Sequence, residues 1–269
     1  MRHIHQLKPL LIASALTGLI LSTGCEQSKD IAQQEKNSTT PAISVSEKKA
    51  NFFAYLQPMI EQANSDVLTQ RQQLLDFESK PEQLKQGDHK ILAALIKTYR
   101  VDDKLNISEQ IEQLKTKVNT IPAALILAQA ANESAWGTSR FAREGNNFFG
   151  QWCFSKGCGI VPNSRNSGAN HEVASFESPL DSVKSYIRNL NSHPAYALLR
   201  TLRQQSIKQG QSPSGETLAQ GLVSYSERGE EYVKEIQSMI RYNKLSRFDN
   251  THIENTSIDK AASSSTGKG

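Results

Sequence analysis

The chain has 269 residues, a formal net charge of +4 and a pI of about 8.9. That length allows one or two domains. The mild basic excess comes without a dense Lys/Arg stripe interleaved with aromatics, which argues against a nucleic-acid partner. With 37% apolar and 22% charged residues, part of the chain is expected to fall outside the folded core. Gly-rich phosphate loops, nucleophile elbows and metal-ligand clusters are all missing from the sequence, so neither a cofactor nor a metal is expected.

The first segment reads as an export signal. MRHIHQLK is basic, and the uncharged run Leu10–Leu21 has 12 residues. A membrane span needs about 20, whereas a signal-peptide core is this short. Ser22-Thr23-Gly24-Cys25 then resembles the lipobox of bacterial lipoproteins, with Ser22 where Leu is usual. The resemblance implies a signal peptide over 1–24, lipidation of Cys25 and a periplasmic protein anchored to membrane. Glu26 follows, not the Asp of inner-membrane retention, which favours the outer membrane. Residues 25–48 are polar and aperiodic, and are expected to form a flexible tether with a reach of roughly 25–30 Å. With Cys25 lipidated, Cys153 and Cys158 remain as an even pair in an oxidising compartment. A disulfide closing CFSKGC is the simple expectation.

A mainly helical pattern follows. Phe52, Phe53, Leu56, Met59, Ile60 and Ala63 recur at spacings of three and four, predicting an amphipathic helix that extends toward Leu75. Ile91, Leu92, Leu95 and Ile96 mark a second. A third carries Ile111, Leu114 and Val118, with Ser108 as its expected N-cap. Pro122 opens a fourth. From 146 to 176, glycines separate short runs such as QWCF, GIV and HEVASF, predicting loops and a small β-hairpin. Helical patterns resume over 179–191, 196–204, 216–222 and 230–242, and a disordered tail is expected over 249–269. The fold class is therefore α+β with a helical majority, in one domain over 49–248 that begins with a helical extension.

The fourth helix contains the chemistry. Ile126, Ala130, Glu133 and Gly137 share one face, and Gly137 is a natural stop. Glu133 thus lies in an apolar stripe near a helix C-terminus. Desolvation and the negative end of the helix dipole both disfavour its charged form. A carboxyl group that keeps its proton near neutral pH is what general acid catalysis requires. The alternative is a structural ion pair with Arg140 or Arg143. Trp136 either walls the acid, offers a flat surface to a sugar, or is plain core.

AQAANESAWGTSRFAREGNNFFG, residues 128–150, resembles the signature of the bacterial glucosaminidases, glycoside hydrolase family 73. HEVASFESPLDSVKSYIRNLNSHPAY and LAQGLVSYSERGEEYVKEIQSMI agree with its Bax-type branch, and the resemblance covers roughly 50–245. It implies a lysozyme-like fold, with a cleft between a helical lobe and a small β-lobe. It also implies hydrolysis of the β-1,4 bond after N-acetylglucosamine in peptidoglycan glycan strands. A monomer is expected. Carried onto this sequence, Glu133 matches the catalytic acid and Tyr225 a tyrosine lining the cleft. Asn147, Phe148, Phe149 and Gly150 match the motif of the cleft floor, with Phe149 the one more suited to plain core.

Most glycosidases use two carboxylates. The stretch VPNSRNSGAN, where some family members carry a second acid, has none. Glu172 is the nearest candidate base, equally placed to be a structural strand-end acid; Glu144 and Glu177 suit solvated surface charges. His171-Glu172 does not continue as H-E-x-x-H, which rules against a metalloprotease. A third route needs no second acid: the substrate's 2-acetamido group assists and Tyr225 stabilises the developing charge. A lytic transglycosylase and a non-catalytic cell-wall-binding lipoprotein are the rival functions.

Overall fold

The computed structural model describes residues 43–252, apart from 164, 166 and 167. The expected signal peptide, Cys25 and the tether up to residue 42 lie outside the described residues. Helix α1 spans Val45–Ser79, α2 Gln86–Tyr99, α3 Ile107–Lys117, α4 Ala123–Glu133 and α5 Arg140–Gly145. Three short strands follow: β1 Trp152–Cys153, β2 Gly159–Ile160 and β3 Glu172–Ala174. Then come α6 Pro179–Ser192, α7 Ala197–Lys208, α8 Gly215–Ala219 and α9 Glu230–Tyr242, closed by a 3-10 turn over Leu245–His252. The helical majority and the small three-stranded sheet match the expected fold class.

Helix α4 is the centre of the core. Every residue from Ala123 to Ala131 is buried. A helix apolar on all sides must be enclosed on all sides, and α1, α8, α9 and the closing turn surround it. Gly215 allows α8 to approach closely: a Cβ there would lie 2.8 Å from the Leu125 nitrogen. Pro122 precedes α4 and offers no side-chain cap. The acceptor comes instead from Asp249, whose Oδ1 takes the Ala124 N–H at 2.8 Å while Oδ2 takes that of Gly215 at 3.4 Å. The tail boundary drawn at 249 therefore cuts into ordered structure. Similarly, the first turn of α1 takes in residues 45–48 of the expected tether.

Helix α1 runs further than its apolar repeat predicts and carries Pro58 within it. An interior proline removes one backbone bond. Pro58 is on the exposed side, while Phe52, Phe53, Leu56 and Ile60 are buried on the other. Helix α3 is capped by Asn106 and not by Ser108. Asn106 accepts from the Glu109 N–H, and the Glu109 carboxylate accepts from the Asn106 N–H. This reciprocal capping box sets the start two residues earlier than the serine predicted. In place of a simple hairpin, three antiparallel strands pair in the order β1-β3-β2, with Trp152 opposite Val173, Cys153 opposite Glu172 and Gly159 opposite Ala174.

Some of the basic residues serve as caps for backbone carbonyls. Arg203 is fully buried, and its guanidinium donates to the carbonyls of Thr116, Lys117, Asn119 and Thr120 and to Asn191 Oδ1. These groups include the orphan acceptors at the end of α3. Burial, with Arg71 and Arg200 adding to it, lowers the Arg203 pKa to about 9, which leaves it charged at neutral pH. Asn64 from α1 secures the same corner, exchanging hydrogen bonds with the Ile121 backbone at 2.9 and 3.1 Å. Arg203→Leu should strand these carbonyls and lower stability by at least about 3 kcal/mol in urea unfolding, with Arg203→Lys falling between. A loss below about 1 kcal/mol would show that these carbonyls find other donors.

Candidate active site

Glu133 is the last residue of α4. Ser134 ends the helix, its hydroxyl donating back to the Ala130 carbonyl and accepting from the Gly137 N–H at 2.7 Å. The stop therefore comes before Gly137, where sequence placed it. Ala135, Trp136 and Gly137 all take positive φ, at 50°, 60° and 76°. For the two residues with a Cβ this costs roughly 1–2 kcal/mol each.

The two carboxylate oxygens of Glu133 have different surroundings. Oε1 accepts from the Tyr232 hydroxyl at 2.7 Å and, at the long distance of 3.4 Å, from the Asn132 amide. Oε2 has no hydrogen-bond partner among the described residues and faces Gly150, where a Cβ would lie 3.6 Å away. Burial pushes the Glu133 carboxyl above its usual range. The Tyr232 and Asn132 donors offset part of that rise, Glu235 adds to it and Arg228 opposes it. Glu133 makes no ion pair with Arg140 or Arg143; Arg140 instead donates to the Val161 carbonyl at 2.7 Å.

Behind Oε1 lies a buried polar line. Gln129 Nε2 donates to the Tyr232 oxygen at 2.8 Å, and the Tyr186 hydroxyl donates to Gln129 Oε1. Gln129, Tyr186 and Tyr232 are all buried. The sequence reading singled out neither Tyr232 nor Gln129. One signal was present: Gln129 is a polar residue in an apolar helix, one turn before Glu133. Tyr225 joins this group by stacking on Tyr232, with centroids 5.6 Å apart and planes at 5°. Its hydroxyl donates to the Phe149 carbonyl at 2.8 Å, so Tyr225 fixes the Phe149–Gly150 backbone beside the acid.

The cleft-floor motif is built from the inside. Asn147 is 2% exposed, and its amide is fully engaged. Nδ2 donates to the carbonyls of Gln151 and Ala174, while Oδ1 accepts from the N–H groups of Phe149 and Gln151. It is a staple for the loop, not a free substrate ligand. Phe148 packs on Phe52 and Tyr55 of α1, and Phe149 stacks on Tyr186 at 4.1 Å. Gly150, at φ 62°, is the motif residue that reaches Glu133. Trp136, expected at the acid or in the core, packs edge-on against Phe52 and Phe53, with the Lys49 ammonium 4.7 Å from its ring centre.

Glu172 lies in a different environment. It is 5% exposed, Oε1 accepts from the Gly157 N–H at 3.0 Å and Oε2 from that of Gly159 at 2.8 Å. These backbone donors hold its carboxyl below the usual range. Cys153 and Cys158 are joined by a disulfide, so bridge and carboxylate pin the same loop. That geometry corresponds to the structural alternative for Glu172. The carboxylate whose charge reaches Glu133 is Glu235 of α9, which the sequence did not single out. It is ion-paired with Arg228.

The chain is similar to known proteins. Protein bax of Escherichia coli K12 is 29% identical over 214 residues, covering 78% of this chain and 76% of its own. The catalytic domain of the autolysin Auto of Listeria monocytogenes aligns over 86% of this chain and all of its own, with a TM-score of 0.42 and 15% identity. The glucosaminidase family model, described as mannosyl-glycoprotein endo-beta-N-acetylglucosaminidase, matches residues 108–245. That region is just over half the chain and contains Glu133, Tyr232 and every residue of the polar line between them. The chain belongs to the glucosaminidase family.

Proposed function

We propose that this protein is a peptidoglycan hydrolase that cleaves the β-1,4 bond after N-acetylglucosamine, with Glu133 as general acid. The observation that carries the assignment is the asymmetry of Glu133. Tyr232 anchors Oε1, while Oε2 is left open beside Gly150. A proton held on Oε2 is positioned for delivery to a leaving glycosidic oxygen. The raised pKa keeps that proton available closer to neutral pH. Backbone donors engage both oxygens of Glu172, and Arg228 pairs with Glu235. This favours assistance from the substrate's own 2-acetamido group over a second protein carboxylate. Digestion of purified peptidoglycan should release reducing N-acetylglucosamine ends by mass spectrometry; anhydro-muramyl ends would instead identify a lytic transglycosylase.

Glu133→Gln should reduce this hydrolysis by at least about 100-fold while the protein remains folded. The folded-state pKa of Glu133 lies above its unfolded value, so the folded state binds the proton more tightly. Stability therefore falls as pH rises from the ordinary carboxylate range through the raised pKa. The charged acid thus costs stability at neutral pH, and the glutamine variant should melt at the same or a higher temperature there. Near wild-type turnover in that variant would remove the assignment.

Tyr232→Phe tests the anchor. The hydroxyl favours the carboxylate, so its loss should raise the Glu133 pKa further. General acid activity declines as pH rises through that pKa, so the alkaline limb of kcat/KM should move to higher pH. An unmoved limb would mean that Tyr232 does not tune the acid.

We also propose a periplasmic, outer-membrane location through a lipid on Cys25, supported by the Gly24-Cys25 junction after a short apolar run. Cys25→Ser should shift the protein from the membrane to the soluble fraction on cell fractionation. A wild-type protein already soluble would end this proposal.

A further inference from the structure

Trp152 lies two residues beyond Gly150, and their Cα atoms can be at most about 7 Å apart. It is 59% exposed, and Phe154, two residues further on, is 66% exposed. Single exposed aromatics are common on protein surfaces, but Trp152 is held in place. His171 stacks on its indole with centroids 4.1 Å apart and planes at 15°. One face is therefore covered by an imidazole, and the exposure belongs to the rest of the ring. The surrounding backbone is fixed from three directions. Trp152 pairs with Val173 across β1 and β3, the Cys153–Cys158 bridge closes the adjoining loop, and Glu172 accepts the N–H groups of Gly157 and Gly159 on either side of Cys158. On the other side, Asn147 fixes Gln151 through two backbone bonds.

A rigid, half-covered indole, two residues along the chain from the glycine that faces Glu133, matches the face of a pyranose ring, whose C–H groups form an apolar surface bordered by hydroxyls. Such a platform gains apolar burial and aromatic contact without having to order a flexible side chain. We propose that Trp152, backed by His171, is a stacking subsite for one sugar ring of the glycan strand next to the scissile bond. This rests on the glycosidase assignment of Glu133. Neither Trp152 nor His171 is offered as a group that handles the transferred proton.

The test compares Trp152→Ala and Trp152→Phe in the full chain with wild type and Glu133→Gln. Turnover is measured on solubilised peptidoglycan, and binding of chitotetraose is measured in the Glu133→Gln background. Because Trp152 is exposed, both substitutions should leave the melting temperature within a degree or two of wild type. Trp152→Ala should raise KM by about tenfold with kcat little changed, and weaken chitotetraose by a similar factor. Trp152→Phe, which keeps a ring, should recover most of that loss. The protein has two tryptophans, and the fluorescence change on chitotetraose binding should vanish in the Trp152→Ala background. If cleavage depends on Glu133 but Trp152→Ala keeps wild-type KM and affinity, the subsite is wrong and the glycosidase assignment stands. A Phe variant as poor as the Ala variant also overturns stacking. If wild type and Glu133→Gln both fail to cleave, the assignment itself falls and the subsite with it.

Discussion

The hydrogen bond from the Tyr232 hydroxyl to Glu133 Oε1 is the contact around which the site is organised. A carboxylate at the C-terminal end of a buried helix is disfavoured by desolvation and by the helix dipole. One strong donor makes it tolerable without neutralising it, as an arginine would. That donor needs its own partner, because a buried hydroxyl oxygen and a buried amide left unsatisfied each cost about 1–3 kcal/mol. Gln129 and Tyr186 supply the continuation. The line crosses α9, α4 and α6, so the orientation of the acid is tied to the packing of three helices. A group held in this way stays in place while the opposite oxygen is left open beside Gly150.

Support for the site extends beyond the region matched to the family. The left-handed turn over Ala135 and Trp136 costs roughly 1–2 kcal/mol per residue. It directs the Trp136 ring into contact with Phe52 and Phe53 of α1, and such aromatic pairs contribute about 0.5–1.5 kcal/mol each beyond their burial. The terms are of similar size. Helix α1 thus helps to keep the chain turning sharply after Glu133, and Phe148 binds the far side of the cleft floor to the same helix. The N-terminal extension is a structural part of the candidate site.

How much of this was legible depended on sequence distance. The apolar spacing in 122–133 located the core helix and singled out Glu133, because a helical period is a local property. The first three helices and the late ones were legible for the same reason. Partners were not: Tyr232 is 99 positions from Glu133 and Arg203 is 83 from Thr120, and no local period encodes such pairs. The side chain of Asn147 looked available in sequence because its four partners are backbone groups, which every residue type supplies alike. The same blindness made Glu172 resemble a free acid, although the glycine N–H groups that hold it flank Cys158 of the disulfide. Ser108 and Asn106 are both residue types that cap well; the carboxylate of Glu109, returning to residue 106, decides the matter.

Asp249 caps two helices from a point near the last of the described residues, and its bond to Ala124 spans 125 positions. Contacts of such long separation close late, because the entropy of a large loop must be spent before they form. During synthesis the ribosome makes α4 more than a hundred residues before the carboxylate that completes its first turn. Tyr232, which anchors the acid, also emerges near the end. The nascent chain therefore carries Glu133 well before it carries the groups that surround it. A glycoside hydrolase of this design has built-in timing, since Glu133 acquires its hydrogen-bonded surroundings only once Tyr232 has been made.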